Sequence, residues 1–545
     1  MTTPDAQPEL PPSARPAVQR IVDRSTLVEE VAALLGAGRR IALVAAHEDD
    51  GPPTSDGGAP DGAASGAPDG AASGVSGRAA GGDFRVVYVM LQPGQAPLEL
   101  VLTVPRGDAW VPTLSAVSYS GGRFEREIRD LYGIDPVGHP QPRRMVRHGH
   151  WPSGHHPMRR DADPHPVFAD DIGSYPFVEV EGTGVYEIPV GPIHAGLIEP
   201  GHFRFSVVGE TILRMKARLW FVHRGVEKLF EGRAPADGIE LAERISGDTA
   251  VGHTLAYVMA VEQALGIAVP HRALLVRALL LECERLYNHV NDIGAIVNDV
   301  GYGIVHAHTQ RLREHLLRHN KHLTGHRLLR GGITVGDAAL AGAPDLELVA
   351  ATARQLAEIV EVALGNHVVR DRLTGTAVLD HEQAGLLDTL GYVARASGRA
   401  VDGRAEHPFV DLPGFTPVVE TGGDVLARLL VRAREAAASA ALITDLTARL
   451  DDGSSDAAPV SGPAQGSGTG GARVPGHGLG IVEAWRGLLV HRVEVGPDGT
   501  LTRVKVVDPS FVNWPALPVA LNDVIVPDFP LANKSFNQSY AGNDL

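Results

Sequence analysis

One cysteine, Cys283, stands in a chain of 545 residues. A single thiol excludes an intrachain disulfide and any four-thiolate zinc, iron–sulfur or nickel–iron centre built from this chain alone. Redox chemistry then has to come from a partner or from a bound organic molecule. Aromatic residues are also scarce, at 5%. No apolar run approaches the roughly 18 residues that span a bilayer, and residues 1–20 carry acids and prolines where a secretory leader has an apolar core. The chain is therefore expected in the cytoplasm, meeting a membrane through partners. Nor is there a basic surplus. The formal net charge of −16 argues against nucleic acid as a partner, because a binder of phosphates presents a basic face.

What is plentiful is glycine and proline, at 63 and 39 residues, and much of it sits in two tracts. Residues 51–83 contain APDGAASG twice in succession, and residues 451–478 have the same Gly, Ala, Ser and Pro bias. Such segments bury too little apolar surface to repay ordering. Both are expected as disordered insertions, and residues 1–18 as a disordered tail.

The first insertion divides a small α/β domain, residues 19–150. Here IVDRSTLVEEVAALLGAG reads as a helix, with Ser25 or Thr26 and Glu29 or Glu30 as a capping box and Gly36 and Gly38 as stops. RRIALVAAH, FRVVYVML and LELVLTVP read as strands, and VPTLSAV and FEREIRDLYG as helical. Residues 151–185, rich in His, Pro and Asp without a period, are expected as an extended strap. His148, His150, His155 and His156 lie in and before it and read as exposed or partner-facing, since a metal site needs preorganised ligands. In residues 186–545, YEIPVG and HFRFSVVG read as strands. A helical period dominates from 211 to 449, and strands joined by a Pro-Asp-Gly turn follow the second tract. The expected fold class is α+β: a small α/β domain, then a mainly helical domain with β segments at both ends.

Two stretches carry chemistry on spacing alone. In VHRGVEKLFEGR a helical reading puts His223, Glu227 and Glu231 on one face, most simply a solvated one. In RALLVRALLLECERLYNHVNDIGAIVNDVG, Glu282, Arg285, His289 and Asp292 form one polar stripe on an otherwise apolar helix. If that helix is central, the stripe faces a cavity and relays protons; if peripheral, it is the wet face. No G-x-G-x-x-G follows a strand, so nicotinamide or flavin belongs to other subunits.

The letters HRGVEK followed by EGR resemble the H-R-G-x-E-K and E-x-R signature of the D-type subunit of respiratory complex I and of membrane-bound hydrogenase large subunits. EREIRDLYGIDPVGHPQPRRMV, residues 125–146, is similar to the C-type complex I signature, and HPMRRD, residues 156–161, to the strap after it. A C-type domain fused to a D-type domain resembles the large subunit of formate-hydrogenlyase and hydrogenase-4 complexes, over nearly the whole chain outside the tail and tracts. The resemblance implies a helical core like that of nickel–iron hydrogenase large subunits.

Catalytic relatives carry R-x-C-G-x-C-x-x-x-H and D-P-C-x-x-C, whose thiolates suit low-valent nickel and iron. Here RISGDTAVGH keeps Arg244, Gly247 and His253 but has Ser246 and Thr249 at the sulfur positions. DPSFVN keeps Asp508 and Pro509 but has Ser510 and Asn513. The resemblance, with these departures, implies no nickel–iron centre and no metal or covalent cofactor in this chain. In complex I relatives the corresponding cavity receives a quinone head group, with a His on the first strand loop and a Tyr early in the helical core. GPIHAG places His194 on that loop, and His202 falls near the second loop His although LIEPG differs. No Tyr stands near Ser246.

The implied roles follow. Head-group contact or proton supply falls to His194, His202, Arg244 and His253. Ser246, Thr249, Asp508 and Ser510 line the cavity, and Glu282, Arg285, His289 and Asp292 relay protons. In the tail DFPLANKSFNQSYAGNDL, Asp528, Asn533, Lys534 and Asn537 either line the same pocket or lie on the surface. The expectation is a subunit of an NADH:quinone oxidoreductase or hydrogenase-4 type complex, peripheral on the inner face of the cell membrane. It would dock on an iron–sulfur subunit and antiporter-like membrane subunits, with quinone as acceptor and iron–sulfur clusters, NAD and flavin on those partners. The alternative is a non-catalytic structural subunit bridging the same partners.

Overall fold

The computed structural model describes residues 15–49, 82–170, 173, 175–196, 198–452 and 476–545. Most of the tail 1–18 and of the tracts 51–83 and 451–478 lies outside them. The described flanks are regular: Gly82 donates to the Asp49 carbonyl at 3.2 Å, a helix runs to Asp451 and a strand begins at Gly476.

The N-terminal domain is a four-stranded sheet in the order Val18–Ile21, Leu98–Val104, Phe84–Leu91, Arg40–Glu48, with the first strand parallel to its neighbour and the rest antiparallel. Its inner strands, Leu98–Val104 and Phe84–Leu91, are buried almost residue by residue, as strands covered on both faces must be. The helix Tyr119–Tyr132 packs against the strand Arg40–Glu48. Ser118 caps that helix by accepting from the Gly121 amide at 3.0 Å, and Gly133, at φ +77°, ends it.

The C-terminal sheet, Gly476–Ala484, Gly487–Val495 and Leu501–Val507, is an antiparallel meander that packs on the strand Arg40–Glu48 and on the helix Ala250–Leu265. Its first strand lies against the backbone of that helix. A side chain at Gly476, Gly478 or Gly480 would collide with the carbonyls of Ala264, Ala260 and Ala256, so the GHGLG run is what permits the approach.

The central helix His271–Asp299 is buried nearly all round and packs against the helices Val425–Asp451, Gly303–Thr324 and Ala250–Leu265. Together these make the α+β architecture expected from the sequence. Among the described residues, no helix is long and apolar enough to cross a membrane.

Four local readings are corrected. Residues 211–218 are not helical: Thr211–Arg218 is a strand, paired to His202–Val208 across a turn with Gly209 at φ +59°. Ladder pairing with Ile212 and Met215 inward overrides its weak helical period. Residues 21–26 are not the start of a helix, since Ile21 ends the strand Val18–Ile21, paired with Leu98–Val104, and the helix begins at Leu27. The capping box is absent because the Thr26 hydroxyl donates to the Asp23 carbonyl at 3.3 Å. VPTLSAV is not helical, as Trp110–Pro112 pairs in parallel with Asp135–Val137.

Candidate functional site

HRGVEK is not a solvated helical face. Only Val226–Phe230 is helical, and the polar side chains hold separate segments. His223 Nδ1 meets the Asp544 carbonyl at 2.6 Å. Arg224 donates to the carbonyls of Arg244 and Ile245 at 2.9 and 2.6 Å, fixing the backbone just before Ser246. Buried Glu227 accepts from the Val506 amide and from Lys505 Nζ, both at 3.0 Å, and pairs with Arg503 at 2.8 Å. Burial alone would raise the Glu227 carboxyl, but Arg503 and Lys505 outweigh it and hold it low. Lys505 also donates to Glu127 at 2.7 Å, so one buried ammonium joins the two signature motifs across the domain seam.

The segments so held bring Ser246 and Ser510 together on a third serine. The Ser539 hydroxyl lies 2.9 Å from that of Ser246, and the Ser539 amide donates to Ser510 Oγ at 2.9 Å. Thr249 Oγ1 accepts from Trp485 Nε1 at 3.1 Å and from Arg486 at 3.2 Å. Asn513 faces Leu390, accepting from its amide at 2.9 Å and donating to its carbonyl at 3.2 Å. All four side chains are buried. Among the described residues, no three His, Cys, Asp or Glu side chains are grouped to hold a metal ion.

Beneath the serines, His253 Nε2 lies 3.1 Å from Asp508 Oδ2, and its Nδ1 lies 3.1 Å from His491 Nε2. Asp508 also accepts from the Ser510 amide at 2.7 Å, capping the turn Pro509–Asn513. Burial opposes its charge, but the His253 contact keeps the Asp508 carboxyl below its ordinary range. Burial, then the neighbouring His253, pushes His491 far down, so that ring stays neutral. Glu284 accepts from the Val251 and Gly252 amides at 2.7 and 3.0 Å, and burial raises its carboxyl to about 8 despite those bonds.

A chain of charges runs inward from the partly exposed Asp248. Asp248 pairs with Arg486 at 2.6 Å, and Arg486 donates to the Asn537 carbonyl at 2.7 Å. The Asn537 amide donates to Asp292 at 2.8 Å, and Asp292 pairs with Arg432 at 3.0 Å. A second run joins His289 to Glu435 at 2.8 Å, Glu435 to Arg395 at 2.7 Å, and Arg395 to Glu483 at 2.8 Å. Asp402 bridges Arg395 and Arg404 at 3.3 and 2.8 Å, and Arg404 and Arg285 flank Glu282 at 3.2 and 3.1 Å. Tyr392 lies between the runs, 3.7 Å under the Arg432 guanidinium and 6.3 Å from the His289 ring. The stripe Glu282, Arg285, His289, Asp292 thus faces the interior, not water.

Comparison with known proteins agrees with this architecture. Residues 299–544 match the family described as respiratory-chain NADH dehydrogenase, 49 Kd subunit. Residues 70–166 match the 30 Kd subunit of the same enzyme, and residues 224–292 match nickel-dependent hydrogenase. Formate hydrogenlyase subunit 5 of Escherichia coli (strain K12) is 35% identical over 77% of this chain and 74% of its own length. This chain belongs to the family of fused complex I-type and membrane-bound hydrogenase large subunits. Hydrogenase-4 component G of the same bacterium is 34% identical over 77% of this chain and 73% of its own. The fused C/D protein of the NADH-quinone oxidoreductase of Phocaeicola vulgatus is 30% identical over 63% and 71%. A solved chain of the archaeal membrane-bound sulfane sulfur reductase superposes at TM-score 0.59, with 28% identity over 66% of this chain and 99% of that one.

Within this fused large subunit the loop histidines stand apart from His253. His194 Nε2 is 2.8 Å from the Gly201 carbonyl and His202 Nδ1 is 3.1 Å from that of Gly191, so both rings close the one loop between Gly191 and His202. That loop docks on the tail: Glu199 accepts from the Ala541 amide at 3.0 Å, and the Tyr540 ring leaves no space for a side chain at Gly201. The Tyr540 ring lies against Trp514 with centroids 4.8 Å apart and planes tilted by 60°, and Tyr540 is next in the chain to Ser539. A tyrosine therefore stands beside the serines after all, supplied by the tail. Arg244 is outside the cluster, with its half-exposed guanidinium paired to Glu240 at 3.1 Å. The tail is packed rather than superficial: Asp528 pairs with Arg372, Asn537 joins the charge chain, and Asn533 and Lys534 are partly buried on the helix Phe529–Phe536.

Sequence reasoning missed Asp248, Arg486, His491, Lys505, Ser539 and Tyr540, and the partners of the polar stripe. For those partners a signal exists. Arg432, Glu435 and Ser439 recur at helical spacing on Val425–Asp451 and meet Asp292, His289 and Glu282 of the central helix.

Proposed function

We propose that this chain is the acceptor-site subunit of a membrane-associated oxidoreductase complex. In this reading it docks on an iron–sulfur subunit and antiporter-like membrane subunits at the inner face of the membrane, and it lines a quinone-type site. Iron–sulfur clusters, NAD and flavin belong to the partners. The observation that carries the reading is the donor set at the converged positions: hydroxyls of Ser246, Thr249 and Ser510 and the amide of Asn513, each engaged by protein groups. Neutral oxygen and nitrogen donors do not fit a low-valent nickel–iron pair, which soft thiolates hold. A quinone-type head group asks instead for hydrogen-bond donors and a proton supply. Arg486 and Tyr540 offer the first, while His194 and His202 donate to the Gly201 and Gly191 carbonyls and so shape the docked loop. His253 and the charge chain through Asp292 and His289 offer the second. Relatives named for hydrogen, quinone and sulfane sulfur chemistry support a common frame with a variable terminal acceptor.

The test is the purified intact complex, assayed for metals and for quinone reduction. Quinone turnover without stoichiometric nickel is expected, falling by about 100-fold in His253→Ala and in Tyr540→Phe while the subunits stay assembled. Stoichiometric nickel overturns the reading. Unchanged turnover in both variants leaves the bridging structural subunit in its place.

A further inference from the structure

The second charge run ends on a small cavity of about 20 Å³ lined by Glu282, Glu483, Arg404 and His407 and otherwise by apolar groups. That is room for the centre of about one water molecule. His407 is 2% exposed, yet neither of its ring nitrogens has a hydrogen-bond partner in the protein. Buried imidazole nitrogens are rarely left unpaired, and a space of this size among polar groups is where ordered water serves them. On the outer side, the residue before His407 is Glu406, which is partly exposed.

The charged groups around this point come from every packed element. Glu282 comes from the central helix, Asp402 and Arg404 from the turn around Gly403–Glu406, and Arg395 from Gly391–Ala396. Glu483 comes from the C-terminal sheet, and Arg40 from the N-terminal sheet acts on both Glu406 and His407. Asp388 acts on Arg40 in turn.

We propose that this cavity holds ordered water and that His407 with that water is the proton port of the buried charge chain, joining Glu406 at the surface to Glu483 within. The proposal rests on the reading of that chain as a proton supply, and it names where protons enter. Burial raises the Glu406 carboxyl to about 7, with Arg40 opposing and Glu483 and Asp402 adding to the rise. Burial and then Asp402 raise Glu483 as well. Glu282, by contrast, is held ionised against burial by Arg285 and Arg404. Glu406 is therefore the carboxyl that exchanges protons near neutral pH, and Glu483, raised in the same direction, is the carboxyl in the cavity lining placed to receive them. His407 is pushed down to about 4 by burial and Arg40, so it relays as a neutral ring with one N–H and one lone pair. A proton leaving Glu406 binds the bare nitrogen as the opposite N–H proton passes through water to the Glu483 carboxylate. The net change is one negative charge moved from Glu483 to Glu406.

The port is tested on the full chain. A high-resolution structure is expected to show water hydrogen-bonded to His407, and a dry cavity overturns the proposal. In infrared spectra after mixing into D2O, the buried carboxyl band that Glu483→Gln removes is expected to exchange at least about tenfold more slowly in His407→Phe. Melting curves confirm that the variant folds, and His407→Asn, smaller and polar, repeats the measurement if it does not. An unchanged exchange rate in a folded variant overturns the port. Exchange is read without any electron acceptor, so this failure is separate from failure of the quinone assay.

Discussion

Ser539 shows how much of this site hangs on single groups. Its amide serves Ser510, its hydroxyl meets Ser246, and the same hydroxyl accepts from the Gly542 amide at 2.8 Å as the cap of Tyr540–Asp544. Ser539→Ala is expected to cost about 1–2 kcal/mol, read as a lower unfolding free energy in urea. At this scale family resemblance picked out Ser246, Thr249, His253, Asp508, Ser510 and Asn513, all buried, because their motifs are local strings. It misled for Arg244, whose side chain turns outward although its carbonyl is clamped by Arg224. It was blind to His491, which meets His253 from 238 residues away. On a strand buried on both faces, no alternation marks such a residue as polar-facing.

At the scale of elements, the central helix and Val425–Asp451 are joined through Asp292 with Arg432, His289 with Glu435 and Glu282 with Ser439. Arg432→Leu strips Asp292 of its guanidinium in a fully buried setting. The expected cost is about 3–5 kcal/mol in chemical denaturation, part of it recovered when Asp292→Asn is added to the same chain. The sequence carried both stripes, yet only that of the central helix was legible, because the apolar background of the other is diluted by alanine. The strand Thr211–Arg218 was not legible at all, since its outward Leu213 and Arg214 break the alternation and only the ladder to His202–Val208 decides its state. HRGVEK failed for the opposite reason. Its helical spacing is real on paper, but Gly225 at φ +67° starts a helix that is over by Phe230.

Across the whole molecule, burial raises several carboxyls together: Glu284 to about 8, Glu125 and Glu406 to about 7, and Asp544 to about 6. Each binds its proton more tightly folded than unfolded. The folded state therefore holds extra protons, and stability falls as pH rises from ordinary carboxylate values through 6 to 8. Burial also lowers His148 and His407 to about 4 from an ordinary 6.5. Their contribution is full above 6.5 and is lost as pH falls towards 4. Above pH 6.5, where the histidine contribution is complete, only the carboxyl losses remain, and the melting temperature is expected to fall as pH rises towards 8. Glu284→Gln is expected to flatten the alkaline limb, as measured by calorimetry across pH 5 to 8.5. A curve that keeps rising to pH 8.5 would contradict these assignments.

The seam between the halves has a mechanical corollary. Arg492 and Arg503 of the C-terminal sheet reach Glu99 and the Ala46 carbonyl at 2.8 and 3.0 Å, and Arg85 reaches Glu494 at 2.9 Å. With Lys505, these place countercharges for each half inside the other. The covalent tether through residues 151–185 is then mechanically idle. Scission there would leave one particle, whereas prying the halves apart would strand bare ions in two apolar sheets.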